Sequence, residues 1–175
     1  MPIFELREWE NMAKYEVDPV NVRMQDLSIW FPRRFLLAVD IMLDIAFNSA
    51  AGPLPAAELG QRQGLETRKL EAILQRLGRA GLLKSLRGPN GGYFLARERA
   101  SISVGDIVRA LFEGEDDGAE TFPSATMRLV VLPAAEAVRE EMMASFDALT
   151  LDALCHRARS AGLTAKADGM VDFTI

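Results

Sequence analysis

Glu66, Thr67, Arg68, Lys69 and Glu71 bring several hydrogen-bonding side chains together within six residues. Arginine and lysine can donate to guanine, and glutamate can accept from the cytosine amino group, so the set could read base edges. A second group, Arg87, Gly88 and Asn90, lies in the stretch Arg87-Gly88-Pro89-Asn90-Gly91-Gly92. Glycine-rich backbone can approach phosphates closely, and an arginine beside it can enter a narrow minor groove. The only cysteine, Cys155, adjoins the only histidine, His156. Such a pair could serve a metal, a haem or redox chemistry, with a dimer axis supplying a second copy of each. Neighbours at i and i+1 on a helix do not face each other, however. Leu151, Leu154, Cys155 and Ala158 fall at i, i+3, i+4 and i+7, so Cys155 is expected to be a buried structural residue. Glu113, Glu115, Asp116, Asp117 and Glu120 could hold a hard cation, but a solvated acidic loop is the expectation there. There is no phosphate-binding glycine loop and no nucleophile motif around the lone histidine, so no enzyme is expected.

These groups need elements to carry them. From Arg33 to Ala50 the residues Leu36, Val39, Leu43 and Phe47 recur at helical spacing, and Ala51-Gly52-Pro53 breaks the pattern. Pro55 suits the first turn of a short helix that Gly64 ends. Glu66 to Ala80 is the clearest helix, with Leu70, Ile73, Leu74 and Leu77 on one face and Gly81 as its stop. The run from Leu82 to Arg87 reads as a strand, Gly88 to Gly92 as a turn, and Tyr93 to Ala96 as the returning strand. Helix, short turn, helix and hairpin is the chain order of a winged helix-turn-helix, whose second helix lies in the major groove. Ser103-Val104-Gly105-Asp106 is a capping-box variant opening another helix. A long helix is expected from about Pro133 to Leu149, with Val138, Met142, Phe146 and Leu149 as an apolar stripe. Thr150 then caps a last short helix that reaches about Ser160, before Gly162. The fold class expected is mainly α with a small β-hairpin wing and a long C-terminal helix.

Composition sets outer limits. In 175 residues, 49% are apolar and 26% charged, which suits a globular chain rather than a disordered one. No stretch reaches the roughly 18 apolar residues that a membrane-spanning helix requires. The start of the chain shows no basic-then-apolar export signal, and one cysteine permits no intrachain disulfide, which fits a reducing cytoplasm. The net charge is −5, yet Gly60 to Ala100 holds nine Lys or Arg against three Glu, so the remainder carries −11. Counterion release depends on the local patch that meets the phosphates, so a basic middle in an acidic chain is compatible with nucleic acid.

The stretches IMLDIAFNSAAGPLPAAELGQRQGL, LEAILQRLGRAGLLKSLRGPNGGYFLAR and ISVGDIVRAL resemble the IscR/NsrR/CymR (Rrf-two-type) family of winged helix-turn-helix regulators. The family is typified by the iron–sulfur cluster assembly repressor and includes nitric-oxide-sensing and cysteine-metabolism repressors. The resemblance is dense from Arg33 to Leu111, looser beyond, and most specific in the RGPNGGYFLAR wing. It implies a homodimer joined through the long C-terminal helix, by Val138, Met142, Phe146 and Leu149, and bound to double-stranded DNA at a near-palindromic operator. By motif position, Glu71 matches the acidic base reader and Arg87 the wing residue that enters the minor groove. Cluster-binding members carry three cysteines between the post-wing helix and the dimer helix, whereas the matching loop, Glu113 to Met127, has none. Cysteine thiolates are the usual cluster ligands, so no cofactor is expected, and an atypical iron–sulfur cluster would have to draw on Cys155. The organisation expected is an N-terminal extension over 1–31, the winged-helix domain over 32–112, an acidic loop over 113–127, the dimer and last helices over 128–162, and a tail over 163–175. The rival expectation is a winged-helix module that controls a partner protein, with DNA binding secondary. The residues identify no effector.

Overall fold

The computed structural model describes residues 31–48, 50, 52–89, 91–112 and 122–163. The chain divides into two compact units, Met1–Arg33 and Arg34–Ile175, and the architecture below is that of the second. Residues 1–30 of the expected extension, Asn90, the acidic loop over 113–121 and residues 164–175 of the tail lie outside the described residues.

Helix α1, Arg33–Phe47, is apolar on more than one side. The stripe read from the sequence, Leu36, Val39, Leu43 and Phe47, is only half-buried. The face turned into the core is instead Phe35, Ala38, Ile41, Met42, Ile45 and Ala46. With two adjacent apolar faces beside the edge that carries Asp40 and Asp44, periodicity alone does not choose the buried side; the neighbours do.

Helix α2, Ala56–Gln63, ends at Gly64, whose φ of 57° is left-handed. That conformation, easiest for glycine, lets the Leu65 amide bond back to the Gly60 carbonyl at 3.0 Å. Helix α3, Thr67–Arg79, starts three residues after α2 and buries Leu70, Ile73, Leu74 and Leu77. Each such side chain contributes about 1.5–3 kcal/mol on leaving water, so the back of α3 is firmly seated. Strands β1, Leu83–Leu86, and β2, Gly92–Leu95, pair antiparallel with Leu83 opposite Leu95 and Leu86 opposite Gly92. Leu54 adds one further rung, exchanging two 2.9 Å backbone hydrogen bonds with Tyr93.

A short 3-10 turn, Arg99–Ser101, leads to α4, Val104–Phe112. The capping box at its start is formed: Ser103 Oγ accepts from the Asp106 amide at 3.0 Å, and Asp106 accepts from the Ser103 amide at 3.2 Å. The long helix begins earlier than Pro133. A π-helical turn, Met127–Val131, runs directly into α5, Leu132–Ala148. Inside continuous helical backbone Pro133 cannot donate to the Leu129 carbonyl and its ring crowds that carbonyl, and a widened π turn relieves both problems. Thr150 caps the last helix, α6, Leu151–Ser160, by accepting from the Ala153 amide at 3.2 Å. Among the described helices, no helix is long and apolar enough to cross a membrane.

Candidate nucleic-acid interface

The residues singled out on α3 all lie on one exposed surface. Glu66 is the N-cap residue, and Thr67, Arg68, Lys69 and Glu71 project from the first turns while the leucine face is buried behind them. Only Lys69 and Glu66 pair, at 3.4 Å, and both are more than two-thirds exposed. Such a pair is worth little in water and yields readily to a competing anion. No acidic residue occupies the first turn of α3 itself, although Glu66 stands at its N-cap, and Arg68 and Lys69 are exposed near that positive end.

Steric constraints on glycine shape the tip of the wing beside Arg87. Arg87 and Gly88 are exposed, and Gly88 has a φ of 123°, a conformation that L side chains rarely adopt. The Gly91 amide closes the turn on the Gly88 carbonyl at 2.9 Å. A Cβ on Gly91 would overlap the Leu86 carbonyl, and one on Gly92 would overlap the backbone of Leu54. Glycines here therefore permit both the tight tip and the close passage of the segment before α2. Asn90, expected at the tip, lies outside the described residues. Lys84 is also exposed, on the strand that leads to the tip.

Tertiary contacts hold α3 and the helices that frame it in place, and none was among the sequence expectations. Arg76 donates to the carbonyl of Leu111 at the end of α4, while the Arg34 guanidinium lies over the Phe112 ring at 4.3 Å. Arg62 of α2 bridges Asp44 of α1 and Glu58, and Asn48 donates to the Asp44 carboxylate at 2.8 Å. Burial holds the Asp44 carboxyl above its usual range despite the opposing pull of Arg62, and burial does the same to Asp40, opposed by a hydrogen bond with Gln63. The Glu58–Arg62 half of this network has the i, i+4 spacing of a local ion pair; its cross-helix half has no local signal.

The residues of the expected dimer stripe divide. Val138 is 65% exposed and Met142 39% exposed. Phe146 turns toward its own chain, its ring 5.5 Å from that of Phe35, and Leu149 is half-buried. Four consecutive apolar residues at the start of the long helix, Leu129 to Leu132, are also exposed. Cys155 is buried and free, with its thiol pushed up by burial against the opposing influence of Arg99 and Arg159, whereas His156 is exposed.

Residues 31–157 match the Rrf2 family, described as iron-dependent transcriptional regulators. The chain belongs to the Rrf2 family. A stretch of 79 residues is 47% identical to the HTH-type transcriptional regulator IscR of Escherichia coli K12, covering 45% of this chain. The chain thus spans about half the length, 49%, of the curated relatives it matches. Among solved structures, IscR of T. potens is 33% identical with a TM-score of 0.62, over 75% of this chain and 90% of that one. CymR, the global cysteine regulator of B. subtilis, is 29% identical with a TM-score of 0.55, over 73% and 96% of the two chains. The expected fold, a mainly helical chain with a two-stranded wing, is the fold these relatives share.

An iron group does not fit the donors described here. Among the described residues no three His, Cys, Asp or Glu side chains are grouped so as to hold a metal ion. The one thiol of the whole sequence faces a core that disfavours the thiolate a cluster needs. This Rrf2 member accordingly lacks the thiolate set of its cluster-binding relatives.

Proposed function

We propose that this Rrf2-family chain is a sequence-specific, DNA-binding transcriptional regulator, a cytoplasmic repressor acting as a homodimer on a near-palindromic operator. One observation carries the reading: a charged, exposed first turn on α3 is seated on four buried apolar side chains and followed by an arginine-bearing glycine wing. On this reading Thr67, Arg68, Lys69 and Glu71 meet base edges and phosphates in the major groove. Glu66 sits at the helix entry, and Arg87, with Gly88 and Asn90, enters the flanking minor groove. Val138 and Met142 supply the exposed part of the dimer seam, with Phe146 and Leu149 at its base. The exposure of the α5 side chains supports that assignment. Regulation proceeds without the three-cysteine cluster site, and catalysis has no assigned residues.

The test is binding of the full chain to its own promoter DNA across a salt series, with iron and sulfide assayed in the same anaerobic preparation. A dimer neutralising six or more phosphates should lose about a thousandfold or more in affinity between ~50 and ~200 mM salt. Colourless, iron-free protein that binds in this manner is the expected result. Absence of salt-dependent binding would favour control of a protein partner instead. Stoichiometric iron and sulfide would make Cys155 the leading ligand of an unusual cluster.

A further inference from the structure

The junction between the long helix and the winged-helix unit is built around one glycine and one aspartate. Gly105 is buried in the first turn of α4, and Asp147 of α5 lies directly over it. A Cβ at Gly105 would overlap the Asp147 carboxylate, and it would stand only 3.2 Å from the Asp147 amide nitrogen. The carboxylate is partly exposed, and its hydrogen-bond partners rather than surrounding packing restrain it. Arg109, one turn further along α4, holds it at 2.5 Å and also lies 3.6 Å from Asp106, while Ser103 Oγ approaches it at 3.5 Å. Backbone bonds lock the same corner: the Val104 amide donates to Leu149 at 2.8 Å, and the Leu151 amide to Ile102 at 2.9 Å. The helix N-terminus beneath Asp147 favours an anion in that position. The end of α5 is thus held to α4 in one orientation by steric contact, an ion pair and two backbone bonds.

We infer that Gly105, Asp147 and Arg109 form a positioning key. The key sets the angle at which the long helix leaves the winged-helix unit, and thereby the half-site spacing that the protein accepts. The inference rests on the dimeric DNA-binding reading given above. If two chains join through α5, the separation and tilt of their α3 helices follow from the α4–α5 angle in each chain. DNA half-sites repeat with the helical turn, so a small change of that angle alters which spacing places both helices in the major groove. None of the three residues touches DNA in this scheme; each acts through the helix it orients.

The test compares the full parent chain with Gly105→Ala, Asp147→Ala and the double variant. Alanine is the better helix former, so Gly105→Ala leaves α4 intrinsically sound. Each protein is read in two ways. The first is its preference among DNA duplexes carrying two promoter half-sites at stepped spacings. The second is the intrachain distance between spin labels at Gln75→Cys and Glu140→Cys, both exposed, in protein diluted with unlabelled chain. Cys155 is buried and stays unlabelled. Gly105→Ala should shift or broaden the label distance. It should also lose about tenfold in affinity at the parental spacing, comparable to the cost of bending a short site, while single half-site affinity stays as in the parent. Removing the obstructing carboxylate should relieve most of that effect, leaving only the backbone contact, so the double variant lies closer to Asp147→Ala than to Gly105→Ala. A merely structural role predicts a lower melting temperature with unchanged distance and unchanged spacing profile in all variants, and that result overturns the inference. If the parent binds no half-site DNA, the regulator reading falls. The label distance then still decides the key: a shift in Gly105→Ala relieved in the double variant supports it, and no shift overturns it.

Discussion

Helices α3 and α5 both carry apolar side chains at three- and four-residue spacing, and the protein disposes of them in opposite ways. On α3, Leu70, Ile73, Leu74 and Leu77 are all buried within the chain, and the charged residues face outward. On α5 no residue is buried, and Val138 and Met142 stand in solvent with Leu132. The first helix is complete in one chain; the second presents an apolar surface that its own chain leaves uncovered. Such a surface on a water-exposed helix supports the proposed dimer seam. On the proposed reading the two helices do different work: α3 is seated so that its tip can read, and α5 is left open so that it can join.

The comparison can be broken most severely at the buried side of α3. Leu77→Ala should cost about 2–5 kcal/mol of folding stability, read as a lower denaturation midpoint, because a cavity is left in close-packed core. A loss under ~1 kcal/mol would mean that α3 is less firmly seated than its burial implies. On α5 the matching change should act on assembly instead. Val138→Glu combined with Met142→Glu should convert dimer to monomer in light scattering while the unfolding transition of the monomer persists, since both side chains are already exposed. A collapse of the fold in that variant would show that the stripe serves the chain's own core.

Smaller effects sharpen the picture at the reading end. Arg87→Ala should weaken operator binding by about 1–3 kcal/mol, and unchanged affinity would count against a DNA-contacting wing. Lys69→Ala should reduce the salt slope by about one and weaken specific and random DNA alike if it meets phosphate, or operator alone if it reads a base. Smallest is the effect at Cys155. Its thiol is raised by burial above the ordinary value of 9.0, so the stability linked to it is complete below that pH and lost as pH rises through the higher folded value. Alkylation near pH 8 should be at least roughly tenfold slower in folded than in denatured protein. Equal rates would place the thiol at the surface.

Several particulars show how far residue patterns carried the fold. The α2–Gly64–α3 turn, the Ser103–Asp106 capping box and the Thr150 cap were legible because each depends on residues within four positions of one another. The α3 core face was legible because its apolar residues occupy a single stripe. The buried side of α1 was not, because leucine, isoleucine, valine and methionine occupy two adjacent faces and only packing selects between them. The α-helical start near Pro133 was legible, whereas the π turn over Met127–Val131 that extends the helix backwards was not.

The candidate site divides along the same line. The tip residues of α3 and Arg87 of the wing were identifiable by type and spacing, and the structure leaves them exposed together with Gly88. What holds them was not identifiable: Arg76 on the Leu111 carbonyl, Arg62 on Asp44, and Leu54 pairing with Tyr93 all join residues distant in sequence. Local chemistry, meaning helix periodicity, caps, turn glycines and the absence of a second cysteine, was determined by the sequence itself, because backbone sterics and hydrogen bonding act over a few residues. The tertiary structure alone decided which face of α1 is core, that Gly92 must pass against Leu54, and that Asp147 must lie over Gly105. Those outcomes depend on which distant surfaces share one close-packed volume, and no short-range rule contains that information.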